Sequence, residues 1–316
     1  MATREITALV CGGATAPVEF RAVPAPEAVT GEVRVGVRAV SVNRGELHRL
    51  TDQAVNGWRP GWDLAGEVLG HHPSATAFPV GTRVFGMCHG GSWAQEVVVA
   101  ECHLAPVPPA LSYQQAAALP AAALTAVRTL RLAGSLAGRA VLVIGASGGV
   151  GRFAVQLARR AGARVTAVAG GRDRAAGLQR LGADHVVTGL HELAPGFDLV
   201  LESAGGDSLA AALSLVGRSG LVVSYGNSSR ASTRFSVSDF YPKQAQLCGF
   251  YLLDDIVAEP PGADLRELAR LCANGELSVE VGMEADWAEV GSVLSALRDR
   301  RVPGKAVLRL GPAGGA

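Results

Sequence analysis

The chain has 316 residues, 48% hydrophobic and 18% charged, with a formal net charge of +1. That length suits about two domains, and the composition excludes a disordered chain. The near-neutral balance argues against nucleic acid or a strongly charged partner.

The five cysteines (11, 88, 102, 248 and 272) form no CxxC and no metal-like cluster. Their odd count and wide spacing predict reduced thiols in a cytoplasmic protein. The start, Met1-Ala-Thr-Arg-Glu5, lacks the apolar run of a signal peptide. The alanine-rich run 116–127 is broken by Pro120 and is too short to span a bilayer, so no membrane partner is expected.

Residues 1–118 read as β-rich. Val33, Val35 and Val37 alternate with Arg34, Gly36 and Arg38, the pattern of a half-buried strand. Dense glycine and proline punctuation, from Pro60-Gly61 to Gly90-Gly91, suits a small distorted barrel.

From about residue 119 to 273 the pattern becomes strand–helix alternation. Strands are predicted over 140–145, 164–169, 185–188, 197–203, 220–225 and 246–252, with helices over 151–161, 172–181, 207–216 and 263–273. Such alternation predicts a doubly wound parallel sheet. The tail, 274–316, holds a strand near 278–281, a helix near 286–299 and a strand over 306–310. It is too short for a domain of its own and is expected to complete the first one.

The most informative stretch opens the second region. Val141 to Ile144 suit a buried parallel strand. Gly145-Ala146-Ser147-Gly148-Gly149-Val150-Gly151 follow, then an apolar helical face. Strand, glycine turn and helix together form the context of a dinucleotide site. Gly148 lets backbone approach a pyrophosphate, Gly151 lets the helix pack closely, and the helix N-terminus offers free N–H groups to phosphate. A tight turn without ligand remains the alternative.

The next strand, Arg164 to Ala169, selects the dinucleotide. An NAD site has an acid at this strand end; here Ala169 and Gly170 stand there, followed by Gly171-Arg172-Asp173-Arg174. Guanidinium forks at Arg172 and Arg174 match phosphate oxygens, which favours the 2′-phosphate of NADPH over NADH. A solvated loop with surface arginines fits the same residues.

The chain resembles the medium-chain dehydrogenase/reductase superfamily, in its zinc-independent quinone oxidoreductase-like branch. The resemblance rests on Val40-Ser-Val-Asn43, Pro60-Gly-Trp-Asp63-Leu-Ala-Gly66, Val80 to Gly86, Gly91-Ser-Trp-Ala94-Gln-Glu-Val97, Leu124-Thr125-Ala126, the glycine turn, Leu181-Gly-Ala-Asp184 and Gly304-Lys-Ala-Val-Leu308. It implies a six-stranded parallel Rossmann sheet over 119–273 and a GroES-like barrel over 1–118 completed by 274–316. The alcohol dehydrogenases of the superfamily bind zinc through an early cysteine and a His-Glu pair. Here those places read Ser41-Val-Asn43-Arg-Gly45 and Trp62-Asp63, so no metal is expected.

The resemblance further implies hydride transfer from NADPH to an activated C=C bond, in an enone or enoyl group, or to a quinone. Asn43 matches the family asparagine beside the nicotinamide and substrate, and Thr125 the family threonine near the nicotinamide. Asp63 is expected to be a structural acceptor at the turn between the domains. Tyr225 ends a strand where the family contacts the nicotinamide, and Arg300 matches a position that reaches the 2′-phosphate. His48 replaces a tyrosine of the family's quinone reductases, and Ala54 a second one. Either His48 or water then supplies the proton. The last strand, near Gln246 to Tyr251, is the edge through which the family forms homodimers. Two other functions stay open. One is a pathway-specific reductase of a carrier- or CoA-bound enone, with Arg128, Arg131 and Arg139 as a basic rim. The other is a low-turnover NADPH-binding regulatory protein.

Overall fold

The structure is a computed structural model that describes residues 4–12, 17–52 and 57–311. Ala54 and the last five residues lie outside the described residues. The chain divides into two compact units, Met1–Ala121 with Ile256–Ala316, and Ala122–Asp255.

In the first unit, β1 (Glu5–Val10) and β2 (Glu19–Pro24) form an antiparallel hairpin. The long β3 (Glu32–Val42) is the organising strand. Its first half pairs with β4 (Asp63–His71) on one side and β6 (Glu96–Ala100) on the other. β5 (Arg83–Met87) and β7 (Leu104–Pro106) extend the sheet beyond β4. Val33, Val35 and Val37 are buried as the alternation predicts, whereas Ala39 to Val42 are buried on both faces because the strand there is covered twice over. Gly66 permits a close crossing of β3 and β4: a Cβ there would lie 2.0 Å from the Gly36 carbonyl oxygen. Helix α1 (Arg44–Asp52) follows β3 directly, and α2 (Tyr113–Ala117) follows β7.

Helix α3 (Pro120–Arg131) leads into the second unit, whose strands are β8 (Ala140–Ile144), β9 (Arg164–Val168), β10 (His185–Val187), β11 (Phe197–Glu202), β12 (Val216–Ser224) and β13 (Gln246–Gly249). All pairings are parallel and the order is β10-β9-β8-β11-β12-β13. Numbered within the unit, this is the 3-2-1-4-5-6 order of a Rossmann sheet. Helix α4 (Gly149–Arg160) turns Phe153, Ala154, Val155 and Ala158 to the core.

Two predicted elements differ. The helix expected over 172–181 is only the single turn α5 (Arg172–Ala175): Ala176 is already extended, and Gly177 takes φ +82°. That segment has only Leu178 and Leu181 to bury, too little apolar surface to hold a longer helix. The helix predicted over 207–216 and the strand over 220–225 leave a connection at 217–219, but these residues lie inside β12, where Ser219 takes φ 57° and the register with β11 shifts. Helix α6 (Gly206–Leu215) therefore passes into its strand without a loop.

Helices α7 (Leu252–Ala258) and α8 (Gly262–Ala273) close the interior of the chain order. The segment 256–273, expected with the dinucleotide region, groups with the first unit. Gly262 sits so close to β7 that a Cβ would lie 2.7 Å from the Cys102 carbonyl oxygen. The tail follows with β14 (Val281–Asp286), α9 (Val290–Arg298) and β15 (Lys305–Arg309). β15 pairs antiparallel with the second half of β3 and brings Lys305 into the unit's interior. Asp286 and Glu289 form a capping box before α9. Among the described residues no helix is long and apolar enough to cross a membrane.

Candidate active site

Two groups of predicted residues come together, one in each unit. In the first unit, Asn43 lies at the junction of β3 and α1. Glu46, in the first turn of α1, accepts the Asn43 backbone N–H through Oε2 at 2.7 Å, and the Trp62 backbone N–H through Oε1 at 2.7 Å. The Asn43 side chain does not cap the helix. Its Nδ2 donates to Asp63 Oδ2 at 2.9 Å, and its Oδ1 accepts from Lys305 Nζ at 2.5 Å.

Asp63 is the hub. Oδ2 also accepts from Ser41 Oγ and from Lys305 Nζ at 3.3 Å, and Oδ1 accepts from the Ala121 N–H at 2.8 Å. Asp63, Ser41 and Lys305 are all buried. A buried carboxylate persists because a cation and several donors compensate it. Glu46 faces the same negative charge. Burial, and then Asp63, raise its carboxyl to about 8, against the lowering effect of the two backbone N–H groups and Lys305. One N–H of the Asn43 amide is left over once Nδ2 has donated to Asp63, and the side chain is half-exposed.

His48 is half-buried further along α1, and its carbonyl accepts from Thr51 Oγ1 at 3.0 Å. Trp62 is half-buried against Gly45, with the Arg49 guanidinium 5.6 Å from its ring centroid. Phe85 and Trp93 are fully buried core residues. Arg300 is exposed in the first unit, in left-handed backbone just past α9.

In the second unit the glycine turn closes on itself. The Gly148 N–H donates to the Gly145 carbonyl at 3.0 Å, and the Ala146 N–H to Val168 at the end of β9, also at 3.0 Å. Only glycine fits at 151, where a Cβ would lie 2.5 Å from the Gly145 carbonyl oxygen and 2.6 Å from Ala146 Cα. Gly148 precedes α4, so the amides of Gly149, Val150 and Gly151 form its first turn and have no partner within the helix. Ser147 is buried, and its Oγ makes no hydrogen bond. A buried hydroxyl without a partner, beside first-turn amides and a turn free of side chains, fits an incoming phosphate or ribose oxygen.

Beside the turn, Gly170 lies two residues past β9 with the Arg174 guanidinium above it; a Cβ at Gly170 would lie 2.9 Å from Arg174 Nη1. Arg172 and Asp173 are exposed. Tyr225 follows β12, bonded through its hydroxyl to Ser203; burial pushes its phenol up to about 12, so it remains a neutral donor. Thr125 is buried in α3, and its carbonyl accepts from Thr129 Oγ1.

Three residues were missed from the sequence. Glu46 carries the Asn-x-x-Glu spacing of a capping box. Lys305 is one of only two lysines in an arginine-rich chain, at the head of an apolar strand. Arg152 is buried, with Nε donating to the Ser147 carbonyl at 3.2 Å and Nη2 to Ala176 at 3.2 Å, and so braces the glycine turn from behind. No local pattern marks it. Among the described residues, no group of three or more His, Cys, Asp or Glu is arranged to hold a metal ion.

Two family models match: the alcohol dehydrogenase GroES-like domain over residues 29–109, and zinc-binding dehydrogenase over residues 149–284. Erythronolide synthase EryA2 of Saccharopolyspora erythraea is 36% identical over 94% of this chain. The chain spans only 8% of that protein's length. Two solved structures share the fold. The quinone oxidoreductase of Coxiella burnetii superposes with a TM-score of 0.84 at 24% identity, covering 98% of this chain and 100% of that one. The CurK enoyl reductase superposes with a TM-score of 0.85 at 22% identity, with the same coverage.

Proposed function

The chain belongs to the medium-chain dehydrogenase/reductase superfamily, an oxidoreductase family, in its quinone oxidoreductase-like branch, and from that premise we propose that it is an NADPH-dependent reductase of an activated C=C bond or a quinone. The observation that carries this reading is the glycine turn with its unpartnered Ser147 hydroxyl, beside a strand end that offers Arg174 and no carboxylate. Similarity to erythronolide synthase EryA2 and to the fold of the CurK enoyl reductase supports an enoyl or enone substrate.

In this reading the amides of Gly149, Val150 and Gly151 and the Ser147 hydroxyl meet the pyrophosphate, while Ala146 and Gly148 shape the turn that lets it approach. Arg174 over Gly170, with Arg172 and Arg300, meets the 2′-phosphate. Thr125 and Tyr225 orient the nicotinamide end. When bound, NADPH supplies the hydride. The free N–H of Asn43 donates to the substrate carbonyl oxygen, where negative charge develops. Lys305 and Asp63 fix which end of that amide carries the donors. His48 or water returns the proton.

Zinc has no part in the proposed reaction, because the residues do not fit it. The places that the resemblance assigns to zinc ligands, 41–45 and Trp62-Asp63, hold no cysteine or His-Glu pair, and both Asp63 oxygens are already engaged by protein donors. Buried Cys88 is held as a neutral thiol, pushed up to about 12 by burial. The proposed homodimer forms through β13, whose outer edge has no partner among the described strands and whose Leu247 is 44% exposed. A mass of one chain by light scattering refutes the dimer.

The test is a titration of the protein with NADPH and NADH, followed by tryptophan quenching. Tighter NADPH binding, then loss of nicotinamide absorbance with a simple enone or quinone, supports the reading. Binding of neither dinucleotide overturns it.

A further inference from the structure

The first unit contains a cation that the Asn43 cluster does not use. Arg59 is half-buried, two residues before Gly61. Its Nη2 donates to the Gly91 carbonyl at 3.2 Å, and its own carbonyl accepts the Gly91 N–H at 3.1 Å, so residue and turn are pinned to each other. Its Nε is closed to solvent and makes no hydrogen bond. No carboxylate partners it among the described residues, and burial works against its charge.

A guanidinium keeps its charge, so partial burial without a carboxylate partner is costly unless an anion arrives. Arg59 borders an open cavity of about 370 Å³. Trp58, Pro26 and Val97 supply apolar walls, and Gly90 and Gly91 leave the space above the guanidinium without side chains. The volume lies at the lower end of the roughly 300–1,000 Å³ range of small-molecule sites.

We propose that this cavity is a binding site for a small organic carboxylate with an apolar tail, held by the Arg59 guanidinium that borders it and covered by Trp58, Pro26 and Val97. A planar carboxylate matches the guanidinium fork, and the hydrocarbon meets the apolar walls. None of the residues of the dinucleotide turn or of the Asn43 cluster lines it, so the inference stands apart from the proposed reductase activity.

Calorimetric titration of the whole chain with hexanoate, hexanol and inorganic phosphate tests it. Hexanoate is expected to bind at one site per chain. Arg59→Gln is expected to weaken it by about tenfold or more, as loss of charge-assisted bonds requires. Hexanol and phosphate, each lacking one half of the ligand, are expected to bind more weakly than hexanoate. Saturating NADPH is expected to leave hexanoate binding unchanged. A second readout needs no change at Arg59: 6-bromohexanoate should quench tryptophan emission, and Trp58→Phe should abolish that quenching. No saturable hexanoate binding, equal binding by Arg59→Gln, hexanol or phosphate as tight as hexanoate, or displacement by NADPH each overturns the proposal.

Discussion

Lys305 Nζ lies 2.5 Å from Asn43 Oδ1, joining residues 262 positions apart in sequence. The ammonium has no acceptor, so it can pair only with the amide oxygen, and Nδ2 must then face Asp63. A side chain whose two ends are otherwise interchangeable is given one orientation.

Lys305→Met should therefore destabilise the protein by about 3–5 kcal/mol, since Asp63 is left buried without its cation. Urea unfolding measures the loss. The double variant Lys305→Met with Asp63→Asn should recover part of it, because no net charge is then stranded. No recovery in the double variant refutes the coupling.

Ser147→Ala separates binding from folding. Its Oγ has no protein partner, so its removal breaks no internal bond. Thermal stability of the free protein should be unchanged or slightly higher, while NADPH affinity falls by about tenfold or more, the value of one hydrogen bond to a charged oxygen. Equal affinity in the two proteins places the dinucleotide oxygens elsewhere.

Arg174→Ala should weaken NADPH by about tenfold or more and NADH much less, because only NADPH carries the 2′-phosphate. The pair of dissociation constants decides this; parallel losses mean that Arg174 merely supports the loop over Gly170.

Glu46 predicts a pH dependence. Its folded value, about 8, is above that of an unfolded glutamate, so between roughly pH 4.5 and 8 the folded state holds more protons. Stability then falls as pH rises through this window and levels off above it. Glu46→Gln removes the titration and should flatten that slope. It also costs about 1–3 kcal/mol at the acid end, where an amide NH₂ cannot accept both the Asn43 and Trp62 N–H groups. Urea midpoints at several pH values show whether the slope disappears.

Much of the architecture was legible because it depends on short-range patterns. The apolar run at Val141–Ile144 and Gly151 three residues beyond Gly148 are local statements, and the sheet forms with the order such units adopt. Alternation at Val33, Val35 and Val37 likewise marked a strand with one buried face. Errors arose where context overrode the pattern. Helix α5 stops after one turn for want of apolar surface, and the glycines at 217 and 220 lie within β12 rather than between helix and strand.

The sequence by itself determined that a glycine turn lies between a buried strand and a helix, that no acid follows at the next strand end, and that neither 41–45 nor 62–63 holds a cysteine or a His-Glu pair. Those are facts of identity and spacing. Only the tertiary structure decided that β15 returns beside β3 to bring Lys305 to Asn43 and Asp63, that Arg152 braces the glycine turn, and that the Arg59 guanidinium borders a cavity. The physical reason is the range of the interactions. A turn is set by the dihedrals of its own residues, whereas the charge balance of a buried site depends on groups that the fold alone brings within hydrogen-bond reach.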